Sequence, residues 1–164
     1  PLPSPRPGSS LATTTRVLPP LHASTLQVGP HRIHAVHAAP DAPREPAMPP
    51  SAPAMPIVLV HGFVISRRYM RPTLRRIARA APCWAPDLPG HGPSSTPPAA
   101  LDVEGYARAL LDWMTAAGLP RALLVGNSLG CQIIARAAAL APERAAGLVL
   151  VGPTVDPRAR TVRA

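Results

Sequence analysis

Leu123-Leu124-Val125-Gly126-Asn127-Ser128-Leu129-Gly130-Cys131 decides how this chain is read. An apolar run of strand length ends in Gly-x-Ser-x-Gly, and a small-residue pattern of helical period follows. In that setting the pattern describes a sharp strand-to-helix turn with a serine at its apex. The backbone angle at such a serine leaves no space for bulky neighbours, which accounts for Gly126 and Gly130. The turn lifts the Ser128 hydroxyl off the sheet and sets it beside a helix N-terminus. Unpaired N–H groups and the helix dipole favour developing negative charge there. Gly-x-Ser-x-Gly alone arises by chance; the strand before it and the helix after it make it specific.

The same alternation extends to both sides. Ile57-Val58-Leu59-Val60 is a continuous apolar run, as in a strand buried on both faces, and it leads into His61-Gly62-Phe63. Residues 67–80 follow a helical pattern, with Met70, Leu74, Ile77 and Ala78 on one side and Arg68, Arg71, Arg75 and Arg79 on the other. Cys83-Trp84-Ala85-Pro86 reads as a short strand ending in Asp87-Leu88-Pro89-Gly90-His91-Gly92. A second helix is predicted over 102–117, with Asp102 as its cap, Glu104 in its first turn and Gly118 past its end. Its buried stripe is Val103, Tyr106, Leu110 and Trp113. A strand over 121–126 precedes the serine turn, and a helix from Leu129 to about Leu140 follows it, stopped by Ala141-Pro142-Glu143. Gly147-Leu148-Val149-Leu150-Val151 is expected to be one more buried strand.

Upstream, Leu26-Gln27-Val28, a Gly29-Pro30 turn and the alternating stretch Arg32 to His37 predict two short strands within 24–39. His34 and His37 then face opposite sides, which argues against a shared metal; His31, His34 and His37 are expected at the surface. Strands alternating with helices through short loops imply a parallel sheet. The expected class is α/β, a three-layer α/β sandwich with a mostly parallel sheet and an antiparallel edge.

Of 25 prolines, 14 fall in the first 56 residues, and seven of those lie within 40–56. Residues 1–23 are therefore expected to be a disordered tail, 24–164 a domain, and 40–56 a proline-rich loop. Aromatics are only 3% of the chain, so Ala, Val and Leu fill the core. All 17 basic residues are arginine, giving a net charge of +9. Arg67, Arg68, Arg71, Arg75, Arg76 and Arg79 read as a solvated helix back; no stacking aromatics or nucleic-acid motif accompany them. Cys83 and Cys131 lack metal-ligand spacing and read as buried thiols. No apolar run reaches membrane-spanning length, no leader-like apolar core follows Pro1, and no dinucleotide, P-loop or metal motif is present. The expectation is a cytoplasmic protein acting on a small molecule, with no cofactor, metal, nucleic acid or membrane.

Three motifs occur in one order, each after a buried strand: His61-Gly62-Phe63, Asp87 to Gly92, and Gly126 to Gly130. Together they resemble the N-terminal part of the α/β-hydrolase fold family over about residues 26–157. The resemblance implies that Ser128 is the nucleophile of a nucleophile elbow. It also implies that Leu129 and Phe63 donate the two oxyanion-hole N–H groups, with Val64 in place of Phe63 if the loop is shifted. His61 belongs to the oxyanion loop and shapes it; Asp87 and His91 are scaffold.

In that family the serine is followed along the chain by an acid and then a histidine. Within the 164 residues no histidine follows Ser128; Glu143 and Asp156 are the acids after it, with Asp156 the candidate. The chain is thus expected to be an incomplete α/β-hydrolase fold ending on an unpaired sheet edge. Two functions follow: a serine hydrolase of esters or related bonds acting through an acyl-enzyme, or an inactive hydrolase-fold protein that binds a ligand or partner.

Overall fold

A computed structural model describes residues 18–40, 54–63 and 66–154. A six-stranded sheet is built from β1 (His22–Val28), β2 (His31–Ala38), β3 (Ile57–Val60), β4 (Cys83–Pro86), β5 (Ala122–Asn127) and β6 (Ala145–Val151), in the order β1-β2-β4-β3-β5-β6. β1–β2 and β2–β4 pair antiparallel, whereas β4–β3, β3–β5 and β5–β6 pair parallel. The helices are α1 (Arg71–Ile77), α2 (Val103–Ala116) and α3 (Leu129–Leu140); a 3-10 turn, Arg67–Met70, leads into α1, and another, Pro142–Arg144, leads into β6. Asp102 caps α2 by accepting from Gly105 N–H at 2.7 Å.

Alternation along the strands makes three layers. Val58 and Val60 of β3 face a core with Ala107, Leu110, Trp113 and Met114 of α2 and Ile133, Ile134 and Ala137 of α3. Leu59 faces the opposite side, with Met70, Leu74 and Ala78 around α1. Each large side chain fully buried there contributes roughly 1.5–3 kcal/mol of transfer free energy. The strands and helices thus follow the pattern expected from the sequence: an α/β sandwich with a mostly parallel sheet.

Four details differ. α1 is shorter than the expected 67–80 helix because Pro72 lacks an N–H and fits only the first turn, so the helix starts beside it. β1 begins at His22, inside the stretch expected to be disordered. His31, His34 and His37 are half-buried rather than on the surface. β6 is paired on one side only, and Leu148 to Val151 are 40–48% exposed rather than buried. An apolar run reports what a strand is able to bury; its exposure depends on which layers cover it. Among the described residues no helix is long and apolar enough to cross a membrane.

Candidate active site

β5 ends at Asn127 and α3 begins at Leu129, so Ser128 alone makes the turn. Its backbone sits at φ 52°, ψ −119°, the one positive φ at a non-glycine position among the described residues. That region is steeply unfavourable for a residue with a Cβ and costs of order 1–3 kcal/mol. The packing around it dictates the two glycines. A Cβ on Gly126 would stand 2.5 Å from the Gly130 carbonyl oxygen, and one on Gly130 would collide with the Val60 carbonyl of β3. Both obstacles are backbone, so α3 reaches this close to the sheet only with glycine on each side.

Ser128 N–H donates to the Val151 carbonyl at 3.0 Å, tying the elbow to the end of β6. Asn127 Nδ2 donates to the same carbonyl at 3.3 Å, and Tyr69 OH donates to Asn127 Oδ1 at 2.9 Å. Leu129 is the first residue of α3, so its N–H is one the helix leaves unpaired. Among the described residues, Ser128 Oγ has no hydrogen-bond partner.

The His61-Gly62-Phe63 loop runs directly against the elbow. A Cβ on Gly62 would lie 3.1 Å from Ser128 Cβ and 3.2 Å from the Asn127 carbonyl oxygen. His61 is fully buried. Its Nε2 accepts from Leu88 N–H at 3.0 Å, which leaves Nδ1 protonated and donating to the Gly62 carbonyl at 2.8 Å. Burial holds its pKa below the usual histidine value, and the neutral ring fits both bonds. With both nitrogens engaged, His61 braces the loop and has no lone pair for a serine proton. Phe63 is 65% exposed, with its ring edge-on to His91. Val64 and Asp156 lie outside the described residues.

Asp87 is the knot of the neighbouring loop. Its Oδ1 accepts from Arg67 N–H at 2.8 Å, and its Oδ2 is paired with the Arg67 guanidinium. Ser94 Oγ donates to the Asp87 carbonyl at 2.7 Å and accepts from His34 N–H of β2 at 2.9 Å. Arg67 therefore leaves the solvated helix back to which the sequence assigned it: its side chain is 12% exposed and Asp87 is fully buried. Arg68, Arg71, Arg76 and Arg79 are exposed as expected.

A cavity of about 690 Å³ opens beside the elbow between Phe63, Arg68, Tyr69, His91 and Tyr106. Ser128 is not among its lining residues; Phe63 and Tyr69 connect the two, the latter through Asn127. Sequence reasoning missed Tyr69 and Asn127. Asn127 occupies an unspecified position of the motif, and the Tyr69 contact spans 58 residues. Cys83 and Cys131 are free and buried; burial pushes the Cys83 thiol up to about 12, and Cys131 Sγ donates to the Gly126 carbonyl at 3.1 Å. Among the described residues no three His, Cys, Asp or Glu side chains cluster as a metal site.

A mostly parallel sheet with a strained serine between strand and helix defines the α/β-hydrolase class. The profile described as the alpha/beta hydrolase fold matches residues 55–163, and the chain belongs to that family. It is 33% identical over 102 residues to abhydrolase domain-containing protein abhd-5.2 of Caenorhabditis elegans, covering 60% of this chain and 23% of that protein. It is 31% identical over 102 residues to 1-acylglycerol-3-phosphate O-acyltransferase ABHD5 of Sus scrofa, covering 60% of this chain and 29% of that protein. The crystal structure of a membrane phospholipase A, a bacterial virulence factor, superposes with a TM-score of 0.71 at 29% identity, over 82% of this chain and 40% of that one. The chain thus spans under a third of either curated relative and two-fifths of the phospholipase.

Proposed function

We propose that this chain carries the nucleophile half of a serine hydrolase, which cleaves acyl esters or related bonds through an acyl-enzyme at Ser128. The observation that carries this reading is the backbone of Ser128, held at φ 52° with the Gly62 loop packed against it. Strain of this kind persists where the surroundings over-determine it, and such residues cluster at functional sites. Leu129 N–H and Phe63 N–H are the oxyanion donors in this proposal. Each is worth roughly 100- to 1,000-fold in rate. The names phospholipase and acyltransferase among the similar proteins both denote acyl transfer, which supports acyl esters as the substrate class.

A serine hydroxyl is a weak nucleophile until a base takes its proton. His61 is occupied by Leu88 and Gly62, so the base and its acid are assigned to residues outside the described ones. With both His61 nitrogens engaged, the described residues bring no base to Ser128 Oγ, and that observation supports a second reading: a hydrolase-fold protein that binds a ligand or partner without turnover. Incubating the full-length gene product with p-nitrophenyl esters separates the two. The enzyme reading expects a burst of nitrophenol and an acyl adduct on the Ser128 peptide, both lost in Ser128→Ala. No turnover and no adduct in the folded wild type supports the alternative, whereas turnover that survives Ser128→Ala overturns the assignment of Ser128 as nucleophile.

A further inference from the structure

Tyr69 lies in the 3-10 turn Arg67–Met70, between two anchored neighbours. Arg67 is tied to Asp87 through its backbone N–H, at 2.8 Å, and through its guanidinium. Met70 is buried in the core around α1. The turn therefore holds Tyr69 in place, 42% exposed, in the wall of the cavity beside the elbow. Its hydroxyl donates at 2.9 Å to Asn127 Oδ1, 58 residues away. Asn127 Nδ2 carries the constraint on to the Val151 carbonyl at 3.3 Å, and that carbonyl also receives the Ser128 N–H at 3.0 Å. The phenol is thus linked to the backbone of the serine through one side chain and one carbonyl.

The same hydroxyl meets the loop on the other side of the elbow. A Cβ on Gly62 would lie 3.5 Å from Asn127 Oδ1, the atom to which Tyr69 is bonded. Burial raises the Tyr69 pKa above its usual 10, against the lowering pull of the Gly62 N–H on its oxygen. A phenol donates one hydrogen bond and accepts others. With its proton committed to Asn127, the oxygen is left as an acceptor for Gly62. Glycine gives that loop no side chain with which to grip the elbow, and His61 braces it toward Leu88.

We propose that Tyr69 is a positioning residue: its hydroxyl straps the Gly62-Phe63 loop to the Asn127-Ser128 elbow and so sets the spacing of the Phe63 and Leu129 amides. The consequence for catalysis rests on the hydrolase reading of Ser128; the strap itself does not. The spacing matters because a misplacement of about 1 Å can cost on the order of 100-fold in rate.

Hydrogen exchange read by mass spectrometry tests the strap without turnover. In the full-length gene product carrying Ser128→Ala, Tyr69→Phe keeps the ring and removes the hydroxyl. Exchange in the peptides containing Gly62 and Leu129 is expected to speed up about fivefold, the worth of one hydrogen bond, while α2 keeps its rate. Unchanged exchange in both peptides, or an equal rise throughout the domain, overturns the proposal. If Tyr69→Phe does not fold, Asn127→Ala removes the acceptor and is read in the same way. With Ser128 intact, Tyr69→Phe is expected to slow the nitrophenol burst at least about fivefold at unchanged KM, because the ring still lines the cavity. The variant with both Tyr69→Phe and Asn127→Ala should be no slower than Asn127→Ala alone, since the two act through one bond. Losses that multiply, or a raised KM with an unchanged burst, overturn the proposal. A wild type without a burst sinks the hydrolase reading instead, and the exchange rates still decide on Tyr69.

Discussion

Ser128 should weaken the fold that it serves. Its φ of 52° and ψ of −119° lie where residues with a Cβ are strained by roughly 1–3 kcal/mol. Ser128→Ala keeps the Cβ and therefore the strain, and removes an Oγ that has no partner among the described residues. Ser128→Gly removes the Cβ and the strain, and costs about 0.5–1 kcal/mol in unfolded-chain entropy relative to alanine. The balance leaves glycine ahead of alanine by about 1 kcal/mol. For a chain of this size that is a rise of about 2–4 °C in the melting midpoint. The assay is a pair of thermal melts at one pH and one protein concentration. Both variants lose the hydroxyl, so activity does not confuse the comparison. A glycine variant that melts at or below the alanine variant would refute the claim that residue 128 is strained.

Other outcomes follow from the same packing. Gly126→Ala sets a methyl 2.5 Å from a backbone oxygen of α3, so a loss of about 1–3 kcal/mol or more is expected in urea unfolding. Arg67→Ala leaves Asp87 buried and uncompensated, at about 3–5 kcal/mol; Asp87→Asn with Arg67→Ala should recover part of it in a double-mutant cycle. Burial lowers the His61 pKa below its usual 6.5, so between the two values the unfolded chain binds a proton that the folded protein refuses. Stability from this group is therefore present above about pH 6.5 and is lost as pH falls below it. His34 and His37 shift the same way, also through burial, so His61→Asn should flatten the acid limb of stability against pH without abolishing it.

Much of this was legible in the sequence where a local rule and the fold agree. Gly126 is fixed by the Gly130 carbonyl within the same turn, so that part of the motif carried its own geometry, whereas Gly130 answers to the Val60 carbonyl of β3. Asp102 announced α2 because capping is a three-residue affair. Ile57 to Val60 read as a buried strand because both of its faces are covered. What stayed hidden depends on distant parts of the chain. Arg67 has the spacing of an outward-facing arginine, and only the Asp87 loop, 20 residues on, turns it inward. His22, His37 and Trp84 line up because β2 pairs antiparallel with both β1 and β4, a register that no short window encodes. Val149 and Leu150 look like core, yet the layer that would cover them is set by topology rather than composition.

The central claim is that the Ser128 hydroxyl is presented as a nucleophile beside the amides of Phe63 and Leu129. Treating the full-length gene product with a fluorophosphonate and mapping the adduct by peptide mass tests it most directly. The account predicts a single modification, on the peptide containing Ser128, absent in Ser128→Ala and slowed when Gly62→Ala shifts the neighbouring loop. An unmodified Ser128 in a folded protein, or an adduct that persists in Ser128→Ala, would contradict it.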